Sequence, residues 1–290
     1  MFLFVISLCE LLASFLTSLC VMVIIVLYLR TGRKNLCKAI SLPLLALFLS
    51  TFVLALNFFV GCIELFLVFL NIMENSSSTS LLLFLNPIMA HVFGTWCDFA
   101  SVGLFVQRTI MVLKPFHSPR VHAVVTGSIV ISSLFASVSI LYVNVSTYKP
   151  VDIPLGESCY AFYCLASLGI AERTLTFYLR LFATLVVVIS GTIFVISYMR
   201  TRQVSSQAAE DRFASFVRYT FIVRTVLLIY FIPDIILSKT IGKNLSDFTG
   251  PSLMLFVSIN SLLTVVVYYV VVLRRQNKAT TVTVWGSTNI

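Results

Sequence analysis

The chain has 290 residues, of which only 11% are charged and 59% are apolar, with a mean hydropathy of +1.02. An ordinary soluble protein carries about 25% charged residues, and a domain of this size cannot bury so much apolar surface and still keep a polar exterior. Composition therefore excludes a soluble enzyme, a disordered chain and a disulfide-built secreted module, and the net charge of +9 has to be read on a membrane protein.

A bilayer core roughly 30 Å thick takes about 20 apolar residues of helix. Apolar runs broken by clusters of charge, Pro, Asn and Ser predict seven such helices. In chain order they are Met1–Leu29, Ala39–Asn71, Leu81–Val106, Val121–Val143, Leu175–Met199, Val217–Leu237 and Ser252–Leu273. All are continuous and far longer than a tilted barrel strand of about ten residues. The first lacks a basic leader and runs on to Arg30, Arg33 and Lys34, so it reads as an uncleaved span rather than a signal peptide. The second is long enough to tilt, or to continue outside the membrane from Ile63 onward. The domain organisation expected is one seven-helix unit over 1–273 and a short basic tail over 274–290.

Positive charge orients the bundle. Arg30, Arg33, Lys34 and Lys38 follow the first helix, and Arg108, Lys114 and Arg120 follow the third. Arg200, Arg202, Arg212 and Arg218 follow the fifth, and Arg274, Arg275 and Lys278 lie in the tail. These are fourteen of the chain's 20 basic residues, all on one side. That side is expected to be cytoplasmic, with the N-terminus outside and the C-terminus inside. The excess charge then faces anionic lipid and calls for no nucleic acid. Three N-x-S/T acceptors, at Asn75, Asn144 and Asn244, fall in loops that the charge places outside. The longest outer loop, Asn144–Thr174, holds Cys159 and Cys164. In an oxidising compartment these can pair with each other, tie to Cys62 on the second helix, or stay free.

The third stretch carries a polar stripe. His91, Gly94, Asp98 and Ser101 recur at spacings of three and four, on one helical face. An ionisable residue in an apolar span must face the bundle and find a partner. Asn57, Glu64, Glu10, Asn260 and Arg180 are the candidates for Asp98. Two readings of the stripe stay open. In one, His91 lines a ligand pocket and Asp98 belongs to a deeper polar network or cation site. In the other, both only hydrogen-bond neighbouring helices. Arg180 either meets an anionic ligand or snorkels to the surface. Pro233 lacks an N–H and is expected to kink the sixth helix. The sequence holds no Gly-rich phosphate loop, no metal-spaced His/Cys/Asp cluster and no hydrolase or zinc-protease motif. It is therefore read as a non-enzyme with no cofactor, no metal and no catalytic residues.

The third helix ends in Gln107-Arg108-Thr109, with Pro115 six residues after Thr109. This resembles the Asp/Glu-Arg-Tyr motif and following Pro of rhodopsin-like G-protein-coupled receptors, with Gln107 in place of the acid and Thr109 in place of the aromatic. Pro233 in the sixth stretch and Asn260, Tyr268 and Tyr269 in the seventh are similar in layout to the family's kinked sixth helix and Asn-Pro-x-x-Tyr region. Here Ser261 and Thr264 replace the Pro and Tyr, and the family's Cys at the outer end of helix 3 is missing. Short ends and a degraded Arg motif look most like the divergent nematode serpentine chemoreceptors. The resemblance implies a chemosensory receptor of the plasma membrane or a sensory cilium. It would bind a small molecule in the outer half of the bundle and couple to a heterotrimeric G protein through the inner ends of helices 3, 5 and 6. Arg108, Gln107, Pro115 and Pro233 would be its activation residues; because Gln107 is neutral, either the resting state is less tightly latched or Arg108 pairs across to Glu210 or Asp211. His91, Asp98, Ser101, Arg180 and Asn260 would be its pocket or polar core. The alternative is a small-solute transporter or channel subunit, with a non-signalling structural membrane protein behind it.

Overall fold

The computed structural model describes residues 2–31, 41–70, 72, 77–113, 119–147, 173–201, 214–226 and 252–273, with isolated helical residues at 232, 236 and 240. Among the described residues the protein is entirely helical. The helices are α1 (Phe2–Thr31), α2 (Leu42–Phe69), α3 (Ser77–Leu113), α4 (Pro119–Thr147), α5 (Arg173–Thr201), α6 (214–226) and α7 (Ser252–Tyr268). The last runs into a π-helical turn, Tyr269–Leu273. Among the described residues, six of these helices (α1–α5 and α7) contain spans long and apolar enough to cross a membrane. This is a membrane protein.

Local chemistry explains the boundaries. Pro43 stands in the first turn of α2, where a missing N–H costs nothing, and Ser41 O accepts from Leu44 N and Leu45 N to start the helix. α3 has 37 residues and is therefore about 55 Å long, well beyond a lipid core of about 30 Å. Its described residues end at Leu113. Arg108 consequently lies within a helix that continues for more than a turn, rather than at its end as the sequence suggests.

α3 is the central helix and packs against α2, α4 and α5, while α1 packs against α2 and α7. α4 is peripheral: Ile131, Phe135, Val138 and Tyr142 are all exposed. In water that face would be an aggregation hazard, whereas in lipid it is the solvent boundary. The largest core cluster joins Leu104 and Phe105 of α3, Phe194 and Tyr198 of α5, Phe216 and Val217 of α6 and Val265 and Tyr268 of α7. Tyr268 meets two rings edge to face, with centroids 5.2 Å apart for Phe216–Tyr268 and 4.8 Å for Phe48–Tyr268, while Phe194 stacks on Tyr198.

Small residues decide how closely helices approach. Gly191 of α5 lies under the Phe221 ring of α6, where a Cβ would collide with the ring, whereas Gly127 of α4 faces open space. Gly191→Val is expected to destabilise the purified protein by about 1–3 kcal/mol through overpacking. Gly127→Val should stay within about 1 kcal/mol. Thermal denaturation of the two variants in one detergent checks the contrast.

Candidate functional site: a buried charge triad

The polar stripe of α3 meets two arginines. Asp98 is buried, with Arg180 Nη1 of α5 at 3.1 Å from its Oδ2 and Arg224 Nη1 of α6 at 3.4 Å from its Oδ1. A single carboxylate thus links three helices. Gly94, one turn before Asp98, makes this possible: a Cβ there would stand only 2.5 Å from Arg180 Nη1. The absent side chain lets the guanidinium lie across α3. Arg180 Nη1 also donates to Thr95 Oγ1 at 3.5 Å, and that hydroxyl donates to His91 O at 2.8 Å. Arg224 Nε is buried without an acceptor among the described residues.

This geometry selects among the sequence readings. Of the partners considered for Asp98, Arg180 is the one in contact, and Arg224 joins it. The cation-site reading of Asp98 is corrected, because two guanidiniums already occupy the carboxylate. Arg180 does not snorkel to the surface: its side chain points inward and is 13% exposed. Ser101 is fully buried and donates to Cys97 O at 2.7 Å, so its hydroxyl is spent on its own helix. Asn260 does not reach Asp98. Its Nδ2 donates to Val223 O at 3.3 Å and ties α7 to α6 beside Arg224. Asn57 pairs instead with Asn86, donating from Nδ2 to Asn86 O at 3.0 Å and receiving Asn86 Nδ2 on its own carbonyl at 3.2 Å. Glu10 and Glu64 form no ion pair with either arginine. Among the described residues no cluster of His, Cys, Asp and Glu suits a metal ion.

Elsewhere, Gln107 is buried and Arg108 half-buried on α3. Pro115, Pro233, Glu210, Asp211, Asn75, Asn244, Cys159 and Cys164 lie outside the described residues. Two expectations are corrected. Cys62 is a fully buried free thiol on α2 that donates to Leu11 O of α1 at 3.6 Å, not a member of a disulfide. Asn144 is 2% exposed. Its Nδ2, the atom a glycan would need, donates to Ile140 O and Thr176 Oγ1, both at 2.8 Å. The acceptor motif says nothing about which way a helical side chain faces, and here it faces α5.

Sequence reasoning missed Arg224 as a member of the site. The signal was present: Arg224 stands six residues from Arg218 inside an apolar run, and a buried arginine requires an acid. Neither the protein-family models nor the curated proteins searched contain a match to this chain.

The triad carries one negative and two positive charges. Removing the carboxylate strands two guanidiniums, whereas removing Arg224 leaves a neutral Asp98–Arg180 pair. Breaking a buried pair typically costs about 3–5 kcal/mol. Asp98→Asn is therefore expected to be destabilising by that amount, and Arg224→Gln by no more than about 1 kcal/mol. Denaturation of purified variants reads the asymmetry. In a separate check, Asn144→Gln should leave the electrophoretic mobility of the protein from eukaryotic cells unchanged, before and after glycosidase treatment.

Proposed function

We propose that the chain is a seven-span receptor with its N-terminus outside and its C-terminal tail inside, in the plasma membrane. It responds to a small ligand and couples to a heterotrimeric G protein. The 217–237 stretch supplies the remaining crossing, and its part 217–226 is described and helical. The observation that carries this reading is the Asp98–Arg180–Arg224 triad. It ties together α3, α5 and α6, the three helices whose inner ends open to the G protein in the receptors this sequence resembles.

Charge is an expensive way to hold helices together, because apolar side chains of similar volume often give equal or greater stability. What a charged link offers is a contact that a ligand can compete for. The Arg224 arm is the longer one. At 3.4 Å it is well beyond the roughly 2.7–2.9 Å of a strong charge-assisted hydrogen bond. Its release would free α6 while α3 and α5 stay paired. A second clasp joins α5 to α6 near the basic end, where Arg218 Cζ lies 5.7 Å from the Tyr198 ring centroid. Arg108 of α3 belongs to the same end. A ligand shifts the resting balance only if it binds the released arrangement more tightly.

Reconstituted vesicles with purified G protein test the reading. A link worth about 1 kcal/mol shifts an equilibrium about fivefold, so Arg224→Gln should raise basal nucleotide exchange severalfold. Arg108→Ala should lower exchange at equal protein density. Unchanged exchange in both variants would remove the receptor assignment, and solute flux without exchange would favour the transporter alternative.

A further inference from the structure

The charge count of the triad is unbalanced. Asp98 offers one negative charge to two guanidiniums. A guanidinium is the side-chain group that keeps its charge inside proteins. Glu10 on α1 and Glu64 on α2, the other acids of the described spans, pair with neither. One buried positive charge is left without a counter-charge among the described residues, and leaving a charge so placed costs several kcal/mol.

The geometry points to an anion-binding site between α3, α5 and α6, where Arg180 and Arg224 take up a small organic monocarboxylate. Three observations specify this class. An excess of one charge is balanced by a monoanion, while a dianion would overshoot it. Among the described residues each arginine reaches Asp98 through Nη1 alone, so most of each guanidinium fork is unspent. Arg224 is 8% exposed, and its Nε is buried with no acceptor. A planar fork of N–H donors matches the two oxygens of a carboxylate better than a spherical halide. The incoming carboxylate competes with Asp98 for Arg224, the more distant arm. This deepens the receptor reading and rests on it for the consequence of binding: capture of Arg224 by the ligand releases α6 from α3. Anion capture itself rests on the charge count.

The test uses the purified full-length protein in detergent, with benzoate as probe, benzamide as its uncharged isostere and chloride as a bare anion against gluconate. Benzoate is expected to bind and to raise the melting temperature, and benzamide to do neither. Arg224→Gln, which keeps a neutral buried pair and so remains folded, should lose at least tenfold in benzoate affinity. Asp98→Asn removes the competitor, so it should bind benzoate at least tenfold more tightly and gain more thermal stability from it than the wild type does. A merely structural triad would not respond in opposite directions to the two substitutions. Equal effects of benzoate and benzamide would overturn the proposal, because packing rather than charge would be responsible. Chloride matching benzoate would also overturn it, since the site would then hold a halide counter-ion. So would a wild type indifferent to all three probes. No G protein takes part, so benzoate capture in a protein that drives no nucleotide exchange would sink the receptor reading and spare the site.

Discussion

A carboxylate shared by two guanidiniums, away from water, is the constraint around which this bundle is organised. In lipid there is little hydrophobic drive between helices, because acyl chains are as apolar as leucine. Apolar faces therefore bring the helices together without fixing how each is rotated. A charge that must be met fixes rotation. Asp98 can face only the place where Arg180 and Arg224 converge, and this sets α3, α5 and α6 about their axes at once. Gly94 then has to be small, since its position lies beneath a guanidinium.

The remaining interfaces repeat the device with neutral groups. Ser18 meets Ser258 at 3.2 Å between α1 and α7. Asn57 meets Asn86 between α2 and α3, over Gly61, where a Cβ would stand 2.7 Å from the Asn86 amide oxygen. Trp96 donates to Ser137 at 2.7 Å between α3 and α4, Asn144 to Thr176 between α4 and α5, and Asn260 to Val223 between α6 and α7. Taken together these contacts run around the bundle. Each contributes only about 0.6 kcal/mol by the measured average for membrane helices, so their main effect is registration. The triad stands apart because its members cannot be left unpaired at comparable cost.

What was legible in the sequence follows from the same physics. Lipid dictates the length and continuity of an apolar run, so the helices can be read from one dimension. The need of Asp98 for a partner was equally plain, and Arg180 was among the residues named. Arg224 was not, because partnership across helices depends on rotations that no single segment encodes. Cys62 and Asn144 went astray for that reason: both motifs are local, while the direction of a side chain on a packed helix is settled by its neighbours. The extent of α3 was underestimated because Gln107 and Arg108 look like a stop. The stretch Thr109–Leu113 nevertheless continues the helix.

The second arginine is the feature that stability alone does not explain. A bundle needing only to hold α3 against α5 would be satisfied by Asp98 and Arg180, a neutral pair with the shorter separation of 3.1 Å. Adding Arg224 introduces a further desolvated charge for a contact 3.4 Å long. Evolution tolerates such an arrangement where the extra charge has another state to move to. In the anion-binding proposal, that state is the one in which a carboxylate holds Arg224. On that proposal, the surplus charge that weakens the unliganded bundle is also what gives a ligand purchase on α6, and the cost of the triad and its use become one property.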